Sequence, residues 1–376
     1  MTSLKTLFIT IIIYCLFLYN FANNSISRSY LPIDPISKSK YLKIDSLLKI
    51  LNKKHQFNGV VLVAEGSEII YNKAYGYKNK KDTLTSKTVF HIASISKCFT
   101  SLAILILAEN NKLSLDDKLT KYFPELLYKE IKIKHLLQHT SGLPEINDFS
   151  FINQNEWTKP FSNELILKLY LNQKNDVSTK PGEKFKYSNA AFNFLAMIIE
   201  KVSGQSYDDF VKENIFSKIN MNNTFCYKND SADIAESIKL KKFINKCKSF
   251  GKDNFSVTRG DNNICTTTED LFKFDQALYT DKLISGNLLK EVFKQGILND
   301  GSKTRYGYGW IVDKDNEIVF HRGNYMNYTC IFIRYLKEKK TIIYLSNIHS
   351  KTFYYTILEI DKIINGKILL NNFSYN

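Results

Sequence analysis

Strand-forming runs stand at both ends of this chain with a long helix-forming stretch between them, and that arrangement constrains the fold more than any other feature. Near the start, "FNGVVLVAEGSEIIYNKAYGYKN" holds two β-branched and aromatic runs flanking Glu65-Gly66-Ser67-Glu68, a hairpin signature. Near the end, "YGYGWIVD", "EIVFHRG", "YTCIFIRYL" and "KTIIYLSN" are four such runs with short connections. Runs from both ends are expected to share one antiparallel sheet, with the middle as an insertion. Helical signals surround them. "YLKIDSLLKILNKKH" places Ile44, Leu47, Leu48 and Leu51 on one helical face. "NAAFNFLAMIIEKVSGQ" is amphipathic and stopped by Gly204, and "SYDDFVKENIFSKIN" follows as another helix. "TTTEDLFKFDQAL" has a threonine cap and an acidic first turn, and "FYYTILEIDKII" closes the chain. The expected class is α+β, an antiparallel sheet flanked by helices with an inserted helical subdomain. The domain is placed at 41–370, its sheet part at about 41–100 and 255–370 and the insertion at about 101–254.

The N-terminus, "MTSLKTLFITIIIYCLFLYNFANNS", sets Lys5 before an apolar run from Leu7 to Tyr19. A bilayer-spanning helix needs ~20 apolar residues and a signal-peptide core roughly 7–15. Residues 1–22 therefore read as a signal peptide cut near Ala22, with an uncleaved membrane anchor as the alternative. The protein is expected to be exported, periplasmic or extracellular. Cys15 lacks the small residues that precede a lipidated cysteine, which argues against a lipoprotein. Residues 23–40, "NNSISRSYLPIDPISKSK", are polar and proline-punctuated and read as a linker.

The net charge is +15, but only five of the 52 basic residues are arginine: Arg28, Arg259, Arg305, Arg322 and Arg334. Nucleic-acid binders exploit arginine for bidentate recognition. Here lysine is spread along the chain, so no nucleic-acid partner is expected, and loose attraction to an anionic cell envelope stays open. Beyond Cys15, the cysteines Cys98, Cys226, Cys247, Cys265 and Cys330 show no CxxC and no metal-ligand spacing. They read as small buried residues, with at most one or two disulfides in an oxidising compartment.

"HIASISKCFTSLAILILAEN" begins an apolar helix with Ser94, Ser96 and Lys97. A lysine there is costly unless its charge is paired or used. Three positions put Ser94 and Lys97 on one helical face, and a serine near a helix N-terminus can attack a carbonyl if an amine removes its proton. An ordinary serine-capped helix produces the same pattern, so Ser-x-x-Lys alone leaves both readings open. In "PGEKFKYSNAAFNFLA", Asn189 reads either as a helix cap or as a substrate ligand, and Tyr187 as a packing residue or as a phenol beside Lys97. In "EIVFHRGNYMNY", His321-Arg322-Gly323 reads as a strand end with a turn glycine, or as a backbone edge along which a substrate lies. "LLQHTSGLPE" and "YGYGW" are unusual as structural filler.

Ser94-x-x-Lys97, Tyr187-x-Asn189 and His321-x-Gly323, in that order, resemble the three motifs of the serine β-lactamase and penicillin-binding-protein superfamily. The tyrosine in the second motif and "LLQHTSGLP" resemble the class C β-lactamase-related branch, which includes β-lactamases, D-amino-acid peptidases and esterases. The resemblance runs from about Tyr41 to Asn347. It implies a sheet-and-helix fold like that expected above. It also implies Ser94 as acyl-forming nucleophile, Lys97 and Tyr187 as the proton-handling pair, Asn189 as substrate ligand, and an oxyanion hole from the Ser94 and Asn324 N–H groups. His321 and Gly323 would line the substrate edge. No metal or organic cofactor is implied, and the partner is a small-molecule or peptide substrate.

Two departures stand out. His321 replaces the lysine of many β-lactamases and is at most partly cationic near neutral pH, with Arg322 expected on the opposite side of its strand. Asn327 replaces a glycine, and Tyr325, Met326 and Tyr328 are expected to narrow the cleft. These departures favour esterase or peptidase chemistry over efficient β-lactam hydrolysis. The alternative is a catalytically inactive protein of this fold that binds cell-wall peptides or a protein partner.

Overall fold

A computed structural model describes residues 34–145, 162–173, 179–228, 233–239, 248–249 and 258–370. The expected signal segment 1–22, Cys15 and Cys247 lie outside the described residues. Helix α1, Pro35–Lys53, starts where Asp34 accepts the Ile36 and Ser37 N–H groups and a proline takes the first turn. It absorbs the end of the stretch read as a linker, and so begins before Tyr41.

The two chain ends meet in one sheet, as expected. Strands β1 (Gly59–Glu65) and β2 (Glu68–Tyr75) form the hairpin, turning at Gly66 with φ +61°. A short β3, Phe90–His91, leads to helix α2, Ser96–Glu109. The helical middle follows as α3 (Leu119–Tyr122), α4 (Ile133–Leu137), α5 (Asn163–Leu171), α6 (Asn189–Ser203) and α7 (Tyr207–Val211). As expected, α6 stops at Gly204, held at φ +72°. The middle also carries β4 (Phe225–Cys226) and a short hairpin of β5 (Ile238–Lys239) and β6 (Lys248–Ser249). Then β7 (Ile264–Thr266) joins β3 and β4 in a small second sheet that the sequence had not indicated. Helix α8 (Thr268–Ala277) has its Thr267 cap and acidic first turn, and α9 covers Gly286–Val292.

The last strands are β8 (Ile311–Val312), β9 (Ile318–Tyr325), β10 (Tyr328–Tyr335) and β11 (Lys340–Ser346), before helix α10, Phe353–Asn365. The main sheet runs β2-β1-β11-β10-β9-β8, with β1 antiparallel to β11 from Gly59↔Ser346 to Glu65↔Lys340. Alternation splits its side chains. Val61, Val63, Ile331, Ile333, Ile342 and Tyr344 pack with α1 and α10, whereas Val60, Leu62, Cys330, Phe332, Ile343 and Leu345 join the core that contains α2, α6 and α8. All eight residues of β10 are buried, because both faces are covered.

Of "YGYGWIVD" only Ile311–Val312 is strand. Gly309, at φ +78°, sits where a Cβ would collide with Ser101 on α2 and approach the Lys97 carbonyl. Gly309 lets this turn lie flat against the helix that carries Lys97, and Gly307 lets it approach the Val292 and Lys294 carbonyls at the end of α9. Among the described residues no helix is long and apolar enough to cross a membrane.

Candidate active site

Ser94 lies in a short 3-10 turn, Ala93–Ile95, between β3 and α2, so it precedes the α-helix rather than sitting in its first turn. Ala93 is held in the left-handed region at φ +49°, and its N–H donates to His91 Nδ1 at 3.2 Å. Non-glycine residues pay roughly 1–2 kcal/mol for that conformation, which persists where surrounding structure dictates it. The dictating contacts are long-range. Ile92 N–H donates to the Ile264 carbonyl at 3.0 Å, and Ile264 N–H donates to Ser96 Oγ at 3.0 Å. Ser96 is thus a buried strut between the turn and β7.

Lys97 is fully buried. Its Nζ donates to Ser94 Oγ at 3.1 Å, to Asn189 Oδ1 at 2.9 Å and to the Asp261 carbonyl at 2.9 Å. It also lies 5.0 Å from the Tyr187 ring centroid and 5.6 Å from that of Phe192. The cap of α6 is Ser188, whose Oγ accepts the Ala191 N–H at 3.1 Å. Asn189 is therefore not the cap, and its side chain is available to meet Lys97. With its oxygen on the amine, the Asn189 amide keeps two N–H donors for a ligand carbonyl.

The "LLQHTSGLPE" stretch braces the tyrosine from behind. His139, at φ +56°, accepts the Ser188 N–H on Nδ1 at 3.1 Å and the Lys186 N–H on its carbonyl at 2.8 Å. Its ring centroid is 4.2 Å from that of Tyr187 and 4.5 Å from that of Tyr306. Burial, then the charge of Lys97, pulls its pKa well below the ordinary histidine value, so the ring is neutral.

His321 has a different place from the one expected. It is fully buried and does not line the cleft beside Ser94. Burial first, then the charge of Lys97, lowers its pKa to about 3. Its Nδ1 lies 2.8 Å from the Arg322 carbonyl, which can only accept, so the proton is on Nδ1 and Nε2 accepts from Tyr306 O–H at 2.8 Å. A neutral, sealed imidazole cannot attract a substrate carboxylate. Gly323 also differs in its reason. A Cβ there would collide with the Ile92 carbonyl oxygen and crowd Ala93, so the glycine admits the serine turn against β9 as well as lining the cleft. Gly323→Ala is expected to cost about 1–3 kcal/mol through overpacking. By displacing the turn it should also lower turnover ~10²-fold, as thermal unfolding and steady-state rates would report.

Strand alternation sends Arg322 to the opposite face, as expected, where its Nη1 donates to Tyr354 Oη at 2.6 Å. The hairpin closes through Met326 and Asn327 on the pair Tyr325↔Tyr328. Closing pairs of two-residue hairpins are hydrogen-bonded and pairs alternate, so Asn324↔Thr329 is a non-bonded pair. The Asn324 N–H therefore points away from β10, beyond the reach of β8, which pairs only with Val319 and Phe320. Tyr325 stacks on His91 with centroids 5.2 Å apart, and buried Tyr328 donates to the Ala235 carbonyl. Neither they nor Met326 line the cleft, so the expected narrowing does not occur.

The cleft has a volume of 430 Å³ and brings together Ser94, Tyr187, Asn189, Arg322, Gly323 and Asn324 with His349 and Lys351 from the approach to α10 and Tyr354 from its first turn. That last group escaped the sequence reading, whereas Tyr306 and Asp261 open the stretches "YGYGW" and "DNNICTTTEDLFKF", whose part in the site the sequence does not define. Among the described residues no His, Cys, Asp and Glu cluster could hold a metal. A hydroxyl in hydrogen-bond contact with a buried amine, beside a phenol and an amide at a cleft wall, has the parts for nucleophilic attack on a carbonyl.

The β-lactamase family model matches residues 44–359. Penicillin-binding protein 4* of Bacillus subtilis (strain 168) is 36% identical over 336 residues, covering 85% of this chain and 74% of that protein. The octameric penicillin-binding protein homologue from Pyrococcus abyssi superposes with a TM-score of 0.74 at 25% identity, covering 88% of this chain and 78% of the other. D-amino acid amidase from Ochrobactrum anthropi SV3 shares the fold, with a TM-score of 0.71 at 19% identity over 87% of this chain and 99% of its own. Three motifs converging on one cleft, a family match over most of the domain and a one-third-identical penicillin-binding protein agree: this chain belongs to the β-lactamase family, within the serine β-lactamase and penicillin-binding-protein superfamily.

Proposed function

We propose that this protein is an exported serine hydrolase that cleaves an ester or an amide through an acyl-Ser94 intermediate. The observation that carries the reading is the contact of Lys97 Nζ with Ser94 Oγ at 3.1 Å inside a cleft wall. In the forward step Ser94 Oγ bonds to the substrate carbonyl carbon, and its proton passes to the Lys97–Tyr187 pair. The resulting oxyanion is held by the Ser94 and Asn324 N–H groups, each such donor interaction contributing about 3 kcal/mol in the transition state. The carbon–leaving-group bond then breaks, and the alcohol or amine departs with the proton. Water, deprotonated by the same pair, attacks the acyl ester and restores Ser94. Asn189 donates to the substrate's amide carbonyl.

Small esters and D-amino-acid amides or peptides fit this site better than β-lactams, because neutral His321 supplies no cation beside the serine. The cations that do line the cleft, Arg322 and Lys351, stand toward α10. The apolar N-terminal run supports export. The direct test is intact-mass spectrometry after exposure to a fluorophosphonate, followed by peptide mapping. One adduct, on Ser94, is expected. A folded protein with no adduct, or with one elsewhere, overturns the reading and favours a non-catalytic binder.

A further inference from the structure

We propose that Asp261 is the buried counter-charge of the Lys97 ammonium and thereby sets the pH at which Ser94 becomes reactive. The inference rests on the hydrolase reading above and adds a residue that none of the three motifs contains.

Asp261 is 4% exposed, in the loop that precedes β7. Its own carbonyl accepts from Lys97 Nζ at 2.9 Å. Carbonyl and carboxyl carbons of one aspartate are no more than about 4 Å apart, so the carboxyl group lies within about 8 Å of the amine, in a region closed to water where charges are weakly screened. Two donors converge on its Oδ1: Asn193 Nδ2 from α6 at 2.7 Å and Thr258 Oγ1 at 2.8 Å. Asn193 is itself anchored on the Arg259 carbonyl at 2.9 Å. A buried carboxylate is tolerated when hydrogen bonds and an opposite charge compensate its lost hydration. Here both are present. Burial raises the Asp261 pKa above the ordinary carboxylate value, and Lys97 and the two donors offset that only in part, so its anionic form depends on the amine being charged.

Among the described titratable groups around Lys97, Glu145 is the one other carboxyl group, and burial shifts it in the same direction as Asp261. His139 and His321 are neutral, and burial holds the Cys98 thiol protonated. Tyr187 faces the amine through its ring. The Arg259 guanidinium is engaged by Asp208, at 2.6 Å from Nε.

The sign is independent of which group takes the serine proton. A neighbouring anion stabilises every protonated form near it, whether Lys97 ammonium or Tyr187 phenol, so neutralising Asp261 moves the acid limb of reactivity to lower pH. The test is the rate of Ser94 phosphonylation by a fluorophosphonate against pH, for wild type and Asp261→Asn. The amide keeps an acceptor for Asn193 and Thr258 while removing the charge. The acid limb is expected to move down by about one pH unit or more. If Asp261→Asn does not fold, Asp261→Ser removes the same charge, keeps a hydroxyl oxygen, and should move the limb in the same direction. Slower reaction at every pH with an unmoved limb means a packing role only and overturns the proposal. Absence of reaction at any pH in folded wild type overturns the hydrolase reading instead.

Discussion

Ser94→Ala should abolish ester and amide turnover, by on the order of 10⁴-fold or more, while leaving the unfolding temperature essentially unchanged. The two halves of that expectation have separate origins. Covalent catalysis loses the oxygen that Lys97 contacts, and Ser96, two residues on, is buried and already bonded to the Ile264 N–H. Stability survives because Ser94 is only half-buried and Lys97 keeps its contacts to Asn189 and the Asp261 carbonyl. Steady-state rates on small esters and D-amino-acid amides, alongside circular dichroism, check it. Turnover within tenfold of wild type would remove Ser94 from the role of nucleophile.

Arg334→Met is expected to destabilise the fold by about 3–5 kcal/mol, on the order of 10 °C in unfolding temperature. Arg334 in β10 and Asp275 in α8 are both fully buried, with Nε 2.6 Å from Oδ1 and Nη2 donating to the Asp275 carbonyl at 3.2 Å. Aromatic rings surround the guanidinium, Tyr279 at 4.6 Å, Phe293 at 5.1 Å and Trp310 at 5.9 Å from Cζ. Methionine fills much of the volume but strands a desolvated carboxylate. Adding Asp275→Leu should therefore recover most of the loss, since apolar pairs often replace buried ion pairs without penalty. Denaturant unfolding of the single and double variants measures both. A single variant within 1 kcal/mol of wild type would show that water reaches this pair.

Much of the site could be read from the sequence because its signals are short-range. The three-residue spacing of Ser94 and Lys97 fixes them on one side of one helix start, and the fold keeps them in contact at 3.1 Å. β-Branched and aromatic runs identify the strands, Gly204 marks the end of α6, and Thr267 marks the start of α8. The open or mistaken readings share a cause. Asn189 stays open between cap and substrate ligand in the sequence, since both it and Ser188 can cap, and the backbone gives the cap to Ser188. "YGYGW" has the aromatic content of a strand, but Gly309 serves a close contact with α2 and Gly307 one with the end of α9.

From sequence alone, then, come the α+β class, the meeting of both chain ends in one sheet, and the order of the three motifs, because periodicity and spacing act over a few residues. Burial and partners far along the chain belong to the tertiary structure alone. His321 is neutral because the fold seals it behind Tyr306 and beside Lys97. Asp261 meets the amine across 164 positions. Arg322 and Lys351 reach the cleft from β9 and the approach to α10. Desolvation and Coulomb energy depend on distances in space, and no local pattern of residue types encodes them.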